Sequence, residues 1–396
     1  MKRNTTGRYE VTVAGGEQVK AFIPDPLPPD PEIVFDRRLV EKLSQASLAL
    51  GRLDSLSLFP DLNLFLYQYV RREAVLSSQI EGTQSTLDDL LTFEDGDAPG
   101  VPFDDVIEVS NYVAALEYGF NRLFKDDFPL SLRLIKEMHE KLLSSGRGSE
   151  KTPGEFKRSQ NWLGGDRPTN AAFVPTPPHE TLTAMGALES FLHDRTHAFP
   201  PLIVAGLAHV QFETIHPFLD GNGRLGRMLI PLILCERGVL REPSLYLSLF
   251  FKANRAAYYG RLQHVREDGD WEGWLEFFLE GVAVTATNAV DTARQMNMVY
   301  QRDREKLLSA GKATSGIMRT HECMFGRISA NAARIAAVTE LSPPTINTAL
   351  QTLADFGIVR ETTGKQRGKR YLYGEVHAAL SSELGDFVQQ RGTVFR

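Results

Sequence analysis

Apolar residues recur at three- and four-residue intervals along most of this chain, the spacing of helices that bury one face. Ahead of the first such stretch, residues 1 to about 32 contain Ala21-Phe-Ile-Pro-Asp-Pro-Leu-Pro-Pro-Asp-Pro31, and these prolines predict an extended arm lying across the core. Helices are predicted over Leu39–Leu50, Leu62–Ile80 and Val106–Phe124. A second helical block runs from about 129 to 290, interrupted by a Pro/Gly-rich stretch at 161–178. Within it, Ile203 to Ile215 is apolar at 203, 204, 207, 210 and 215, which is helical spacing and too long for a typical strand. The block closes with the aromatic run from Trp271 to Glu280 and a long amphipathic helix.

The last ninety residues change character. Ile328–Val338 and Ser342–Phe356 read as two helices around a short Thr-Glu-Leu turn, with Ser342 as N-cap and Pro343 at the first helical position. Residues 357–373 then alternate into a hairpin whose tip carries Lys365, Arg367, Lys369 and Arg370. The fold class is therefore mostly α with a small α+β unit at the C-terminus, in expected segments 1–125, 126–295 and 296–396.

Composition narrows the function classes. A chain of 396 residues with 42% hydrophobic and 24% charged content is that of a globular protein. Its net charge of −6 gives no global attraction to nucleic acid or membrane. Cys235 and Cys323 are far apart and outside any C-x-x-C pattern, so neither a structural disulfide nor a thiolate zinc site is expected. His193 and His197 stand at i, i+4, but no H-E-x-x-H accompanies them and a solvated helix end explains them better. The longest apolar run, Met228 to Cys235, is too short to span a bilayer, and the N-terminus lacks an apolar h-region. The expectation is a cytoplasmic protein with no membrane partner.

The chemistry concentrates in twelve residues, His216-Pro-Phe-Leu-Asp-Gly-Asn-Gly-Arg-Leu-Gly-Arg227. Gly221 and Gly223 flank Asn222, so the backbone can turn tightly and aim successive N–H groups at one anion, at the start of a helix that ends near Gly238. Arg224 and Arg227 are three apart and share a helical face. Asp220 is a hard oxygen ligand of the kind that holds Mg²⁺ beside phosphates. His216 can take a proton from a hydroxyl near neutral pH. It precedes Pro217 and so ends its helix. A helix C-terminus favours imidazolium, whereas Mg²⁺ and the two arginines favour the neutral ring.

Gly221, Gly223 and Gly226 also spell G-x-G-x-x-G, but the preceding segment is helical and a dinucleotide fingerprint needs a strand there. A Walker A loop fails because no Lys-Ser or Lys-Thr follows the glycines. An ordinary helix–loop–helix corner would explain any one of these residues. It does not explain the whole string.

The string from His216 to Arg227 resembles the signature of Fic-domain proteins, with no departure from it. The resemblance implies a Fic-type helical core with a short β-hairpin flap. It also implies transfer of AMP from ATP to a Ser, Thr or Tyr hydroxyl of a protein, the enzyme itself included, with release of pyrophosphate. On that resemblance His216 is the base, Asp220 the Mg²⁺ ligand, and Gly221, Asn222, Gly223, Arg224, Leu225, Gly226 and Arg227 the nucleotide cradle. Ser77-Ser-Gln-Ile-Glu81-Gly82 is similar to the family's inhibitory motif, in which the carboxylate pairs with the second arginine, here Arg227. Read by itself, Glu81 is an unremarkable acid at a helix end. Asn161 to Pro178 looks like the flap, which pairs with the backbone of the target, although a Pro-rich surface loop fits the residues equally. Tyr259 falls where the family lines its adenosine pocket, and Tyr258 beside it reads as core.

The C-terminal segment resembles a winged-helix domain, for which DNA binding and protein docking both stay open. Fic relatives are often dimers, which adds a homodimer to the implied partners. Two further readings stand beside adenylyl transfer. One is Glu81-dependent removal of AMP; the other is a DNA-binding regulator whose Fic core only senses nucleotide.

Overall fold

The computed structural model describes residues 4–58, 63–94, 96, 100–196 and 199–382. The chain opens as an antiparallel hairpin, β1 (Gly7–Ala14) and β2 (Glu17–Pro24), where the sequence reading has only an extended arm. The signal was present: Tyr9, Val11 and Val13 alternate with polar residues ahead of a Gly15-Gly16 turn. Beyond Pro24 the proline run is not extended as expected: it bends at 27–28 and again at 30–31, where the Leu27-Pro28 and Asp30-Pro31 bonds are cis.

Helices follow in three groups. The first comprises α1 (Arg37–Asp54), α2 (Asn63–Ile80), α3 (Leu87–Glu94) and α4 (Phe103–Phe124). The second comprises α5 (Leu132–Leu142), α6 (Pro178–His193), α7 (Pro201–Ile215), α8 (Asn222–Glu236), α9 (Ser248–Ala253), α10 (Arg255–Asp268) and the long α11 (Trp271–Ser309). Local chemistry fixes their starts: Asp36 and Ser131 cap α1 and α5 through their side chains, and Pro201 opens α7.

The third group begins with α12 (Ser315–Arg327), followed by β3 (Ser329–Asn331), α13 (Ala332–Thr339), α14 (Pro343–Asp355), β4 (Arg360–Glu361), β5 (Arg370–Leu372) and α15 (Gly374–Ser381). The strands form a sheet in the order β3–β5–β4. Ser342 caps α14 with Pro343 at its first position, as predicted. Ile328 does not begin a helix. It leaves α12 with φ +62°, and the chain pairs as β3 before α13 starts at Ala332.

One continuous apolar core runs from Leu27 to Leu380. At its centre α7 packs on α8, and every residue of α7 from Leu202 to Ile215 is buried. A helix apolar on all sides belongs in an interior, and here α6, α10, α11 and β2 supply the walls. Trp274 of α11 is fully buried, stacks on His209 with ring centroids 5.8 Å apart, and donates its indole N–H to Gly206 O at 2.9 Å. Trp274→Ala should cost about 3–5 kcal/mol of stability, read by urea denaturation. A loss below about 1 kcal/mol would show that α7 is not held from this side.

Candidate active site

The α7–α8 junction puts chemistry at the end of an apolar helix pair. His216 terminates α7 in the left-handed region, with φ +49° and ψ +61°. The stretch 157–161 lies along the carbonyls that follow. Lys157 Nζ donates to Ile215 O (3.3 Å) and His216 O (2.9 Å), Lys157 N to Pro217 O (2.9 Å), and Asn161 Nδ2 to Phe218 O (2.8 Å). Asn222 then clasps Phe218 from the other side, its Oδ1 accepting from Phe218 N and its Nδ2 donating to Phe218 O, both at 2.9 Å.

Gly221 enters α8 with φ +74°, a conformation that a side chain would strain. Its N–H donates to Asp220 Oδ1 at 2.6 Å, and the Asp220 carbonyl accepts from His139 Nε2 at 3.0 Å. His139 Nδ1 accepts the Gly154 N–H, which fixes the ring as the neutral Nε2–H tautomer. Burial pulls its pKa down to about 4, consistent with that form. The ring stacks on Phe218 at 3.7 Å.

The two arginines are buried, and each has an acidic partner. Arg224 donates to Glu108 Oε2 (2.8 Å) and to Asp220 Oδ1 (3.3 Å). Arg227 donates through Nε to Ser77 Oγ (2.8 Å), and through one terminal nitrogen to Ser77 O (3.0 Å) and Glu81 Oε1 (2.8 Å). Arg227 is almost wholly enclosed, whereas the Glu81 side chain is 34% exposed, so the carboxylate reaches in from the rim. Glu81 also fills the glycine cradle, because a Cβ on Gly223 would collide with its Oε1.

His216 is held neutral. Burial is the first cause, the Lys157 and Arg266 charges follow, and together they take its pKa down to about 3 despite an opposing pull from Glu213. Of the protein cations, the two that act on His216 are Lys157 and Arg266, both outside the motif, rather than the expected Arg224 and Arg227. Arg266 of α10 donates to Thr214 Oγ1 at 3.1 Å and to Glu213 O at 3.4 Å. Glu213 Oε2 lies 3.9 Å from His216 Nδ1, and burial raises that carboxyl to about 7.

The structure thus brings Glu81, His216 and Asp220 to Arg227 into one site. Leu225 and Gly226 face the core, Gly226 O accepting from His209 Nδ1 at 3.0 Å. Tyr259 stands 42% exposed near Glu81 and Arg227, while Tyr258 is core and bonds His209 Nε2 at 2.8 Å. Glu108, His139, Lys157, Glu213 and Arg266 were missed by sequence reasoning. The flap segment makes a single antiparallel bridge, Leu163 to Phe173, around a short turn at Pro168–Asn170. His193 ends α6 and donates to Leu130 O, and His197 lies outside the described residues. No helix among the described residues is long and apolar enough to cross a membrane.

With this geometry in place, comparison with known proteins is decisive. Residues 40–121 match the Fic/DOC family N-terminal segment and residues 129–234 match the Fic/DOC family proper. Residues 40–234 are thus a Fic/DOC family region. The protein adenylyltransferase Fic of Aedes aegypti is 30% identical over 260 residues, 62% of this chain and 46% of that protein. The protein adenylyltransferase fic-1 of Caenorhabditis briggsae is 30% identical over 181 residues, 45% of this chain and 32% of that one. This chain therefore spans less than half the length of either relative. The fold is shared with a crystal structure of a Fic family protein from Desulfovibrio desulfuricans (TM-score 0.53, 20% identity, 86% of this chain and 97% of that one). A Fic domain containing signaling protein from Bacteroides thetaiotaomicron gives a TM-score of 0.51 at 21% identity, covering 64% of this chain and 98% of that one.

The depressed His216 pKa sets an expectation that needs no substrate. In ¹⁵N-imidazole NMR of the full chain, with His216→Asn to assign the signal, His216 should stay neutral from pH 7.5 down to 5. A free histidine would be mostly protonated at the lower end, since its pKa is about 6.5. A midpoint at or above that value would contradict the electrostatics described.

Proposed function

We propose that this chain transfers AMP from ATP to a hydroxyl side chain of a protein, itself included, and that Glu81 restrains the reaction. The observation that carries this reading is a buried imidazole at the end of α7, one short turn before the glycine start of α8 and its two buried arginines. The target hydroxyl would give its proton to His216 as its oxygen bonds to the α-phosphorus, and the bond from that phosphorus to pyrophosphate would break. Such a transfer asks the protein for position and for charge against the developing anion. The N–H groups opening α8, with Arg224 and Arg227, supply the charge.

The residues suit Mg²⁺. Asp220 uses Oδ1 for Gly221 and Arg224, and among the described residues no hydrogen bond engages its Oδ2. Asp220 would hold the ion, which when bound neutralises phosphate charge. The flap from Leu163 to Phe173 would lay the target backbone beside His216. The order α12–β3–α13–α14–β4–β5 supports a winged helix as the C-terminal unit. The relatives are named for transfer, so neither AMP removal nor mere nucleotide sensing is carried forward.

Restraint follows from competition. The guanidinium that would meet the far end of the triphosphate is already engaged by Glu81. With ATP and Mg²⁺, Glu81→Gly should raise AMP incorporation by about tenfold or more, the worth of about 1.4 kcal/mol, and His216→Ala in that background should abolish it. Intact-mass spectrometry reads the AMP adduct. Equal incorporation by Glu81→Gly and the unaltered chain would remove Glu81 as a brake, and an adduct surviving His216→Ala would remove the base.

A further inference from the structure

We propose that Lys157, outside the motif, is a positioning residue: its ammonium occupies the carbonyl end of α7 and fixes His216 in its left-handed conformation. The proposal rests on the transfer reading only for its kinetic arm. A left-handed non-glycine residue persists where its surroundings over-determine it. Here the carbonyls of Ile215, His216, Pro217 and Phe218 all accept from Lys157 or Asn161, one after another. Those of Ile215 and His216 are orphan acceptors at the end of α7, and Lys157 lies 3% exposed against them.

The charge matters as much as the hydrogen bonds. The C-terminus of a helix attracts a cation within its last turn, and a histidine placed there would ordinarily become that cation. Lys157 takes the role instead. Its Nζ donates to Ile215 O, His216 O and Asn161 Oδ1, three acceptors for the three protons of an ammonium. Burial pulls the Lys157 pKa well below that of a free lysine; the three acceptors at the negative end of α7 are what favour the ammonium against it. The other charged groups facing His216 are Arg266 from α10, which adds a second cation, and Glu213 from α7 itself. Lys157 also joins the base to the flap, because Asn161, its partner, begins that segment.

The test uses the full chain with Glu81→Gly, carrying Lys157→Met, Lys157→Gln or Lys157→Arg, each checked by thermal melting. In ¹⁵N-imidazole titration, Met and Gln should each move the His216 midpoint upward by about one pH unit or more, and Arg should restore it. Gln keeps a donor for the carbonyls and remains informative if the Met chain fails to fold. In AMP transfer, Met should lower kcat by about tenfold or more while the affinity for a non-hydrolysable ATP analogue changes less than about twofold. A His216 midpoint unmoved in a folded Gln or Met chain would overturn the proposal. So would a loss confined to nucleotide affinity. Midpoints that move while no chain, Glu81→Gly included, forms an adduct would uphold Lys157 and reject the transfer reading.

Discussion

A buried guanidinium must have an anion, and the site is organised around that requirement. Arg227 sits where two apolar helices meet, with almost no access to water. A charge removed from solvent costs several kcal/mol unless it is paired and hydrogen-bonded. Ser77 satisfies part of the fork through its hydroxyl and carbonyl, and Glu81 supplies the charge. Without Glu81 or a phosphate in its place, the guanidinium would keep Ser77 but lose its hydrogen-bonded anion. On the proposed reading, Glu81 and the nucleotide's phosphates would be two ways of meeting one demand, and would therefore exclude each other.

The same demand limits how firmly Glu81 can hold. A hydrogen bond to a charged group contributes about 1.5–3 kcal/mol, and a carboxylate one-third exposed to water belongs at the lower end. On that reading a triphosphate, with more charge, would displace such a contact. Glu81 also lies over Gly223, so its departure opens the cradle as it releases the arginine. Around this exchange the scaffold is fixed by neutral or internally paired groups. His139 is locked in one tautomer by Gly154, and Arg224 rests on Glu108, which Arg147 also engages.

What was legible in the sequence divides along physical lines. The motif could be read because its residues are adjacent in the chain and each type has a specific chemistry. The helices could be read because their apolar faces repeat. The residues that set the electrostatics could not, since Lys157, His139, Glu108 and Arg266 approach the motif from four separate elements. Nothing in the neighbourhood of Lys157 marks it as buried, and a lone lysine in a polar stretch reads as solvated. The N-terminal hairpin is a different kind of miss, for its alternation was there and the prolines after it drew the reading away. The misplaced start at Ile328 follows from a backbone reversal that an isoleucine does not advertise.

The placement of α2 bears on how Glu81 would leave Arg227 on the proposed reading. Its middle is tied to the C-terminal elements: Gln68 donates to Gly326 O at 2.7 Å, and Arg72 to Asn288 Oδ1 at 3.3 Å and to Ser382 O. Glu73, fully buried, accepts from Ser248 and Tyr112. Moving the whole helix would break all of these in the interior. Glu81 stands one residue beyond the helix end, and Gly82 follows with φ +103°. The chain there is already turning away from its own hydrogen-bond ladder. Swinging the carboxylate off Arg227 would therefore need a change at residues 80–82, while the core, α2 included, keeps His216 and the start of α8 in place.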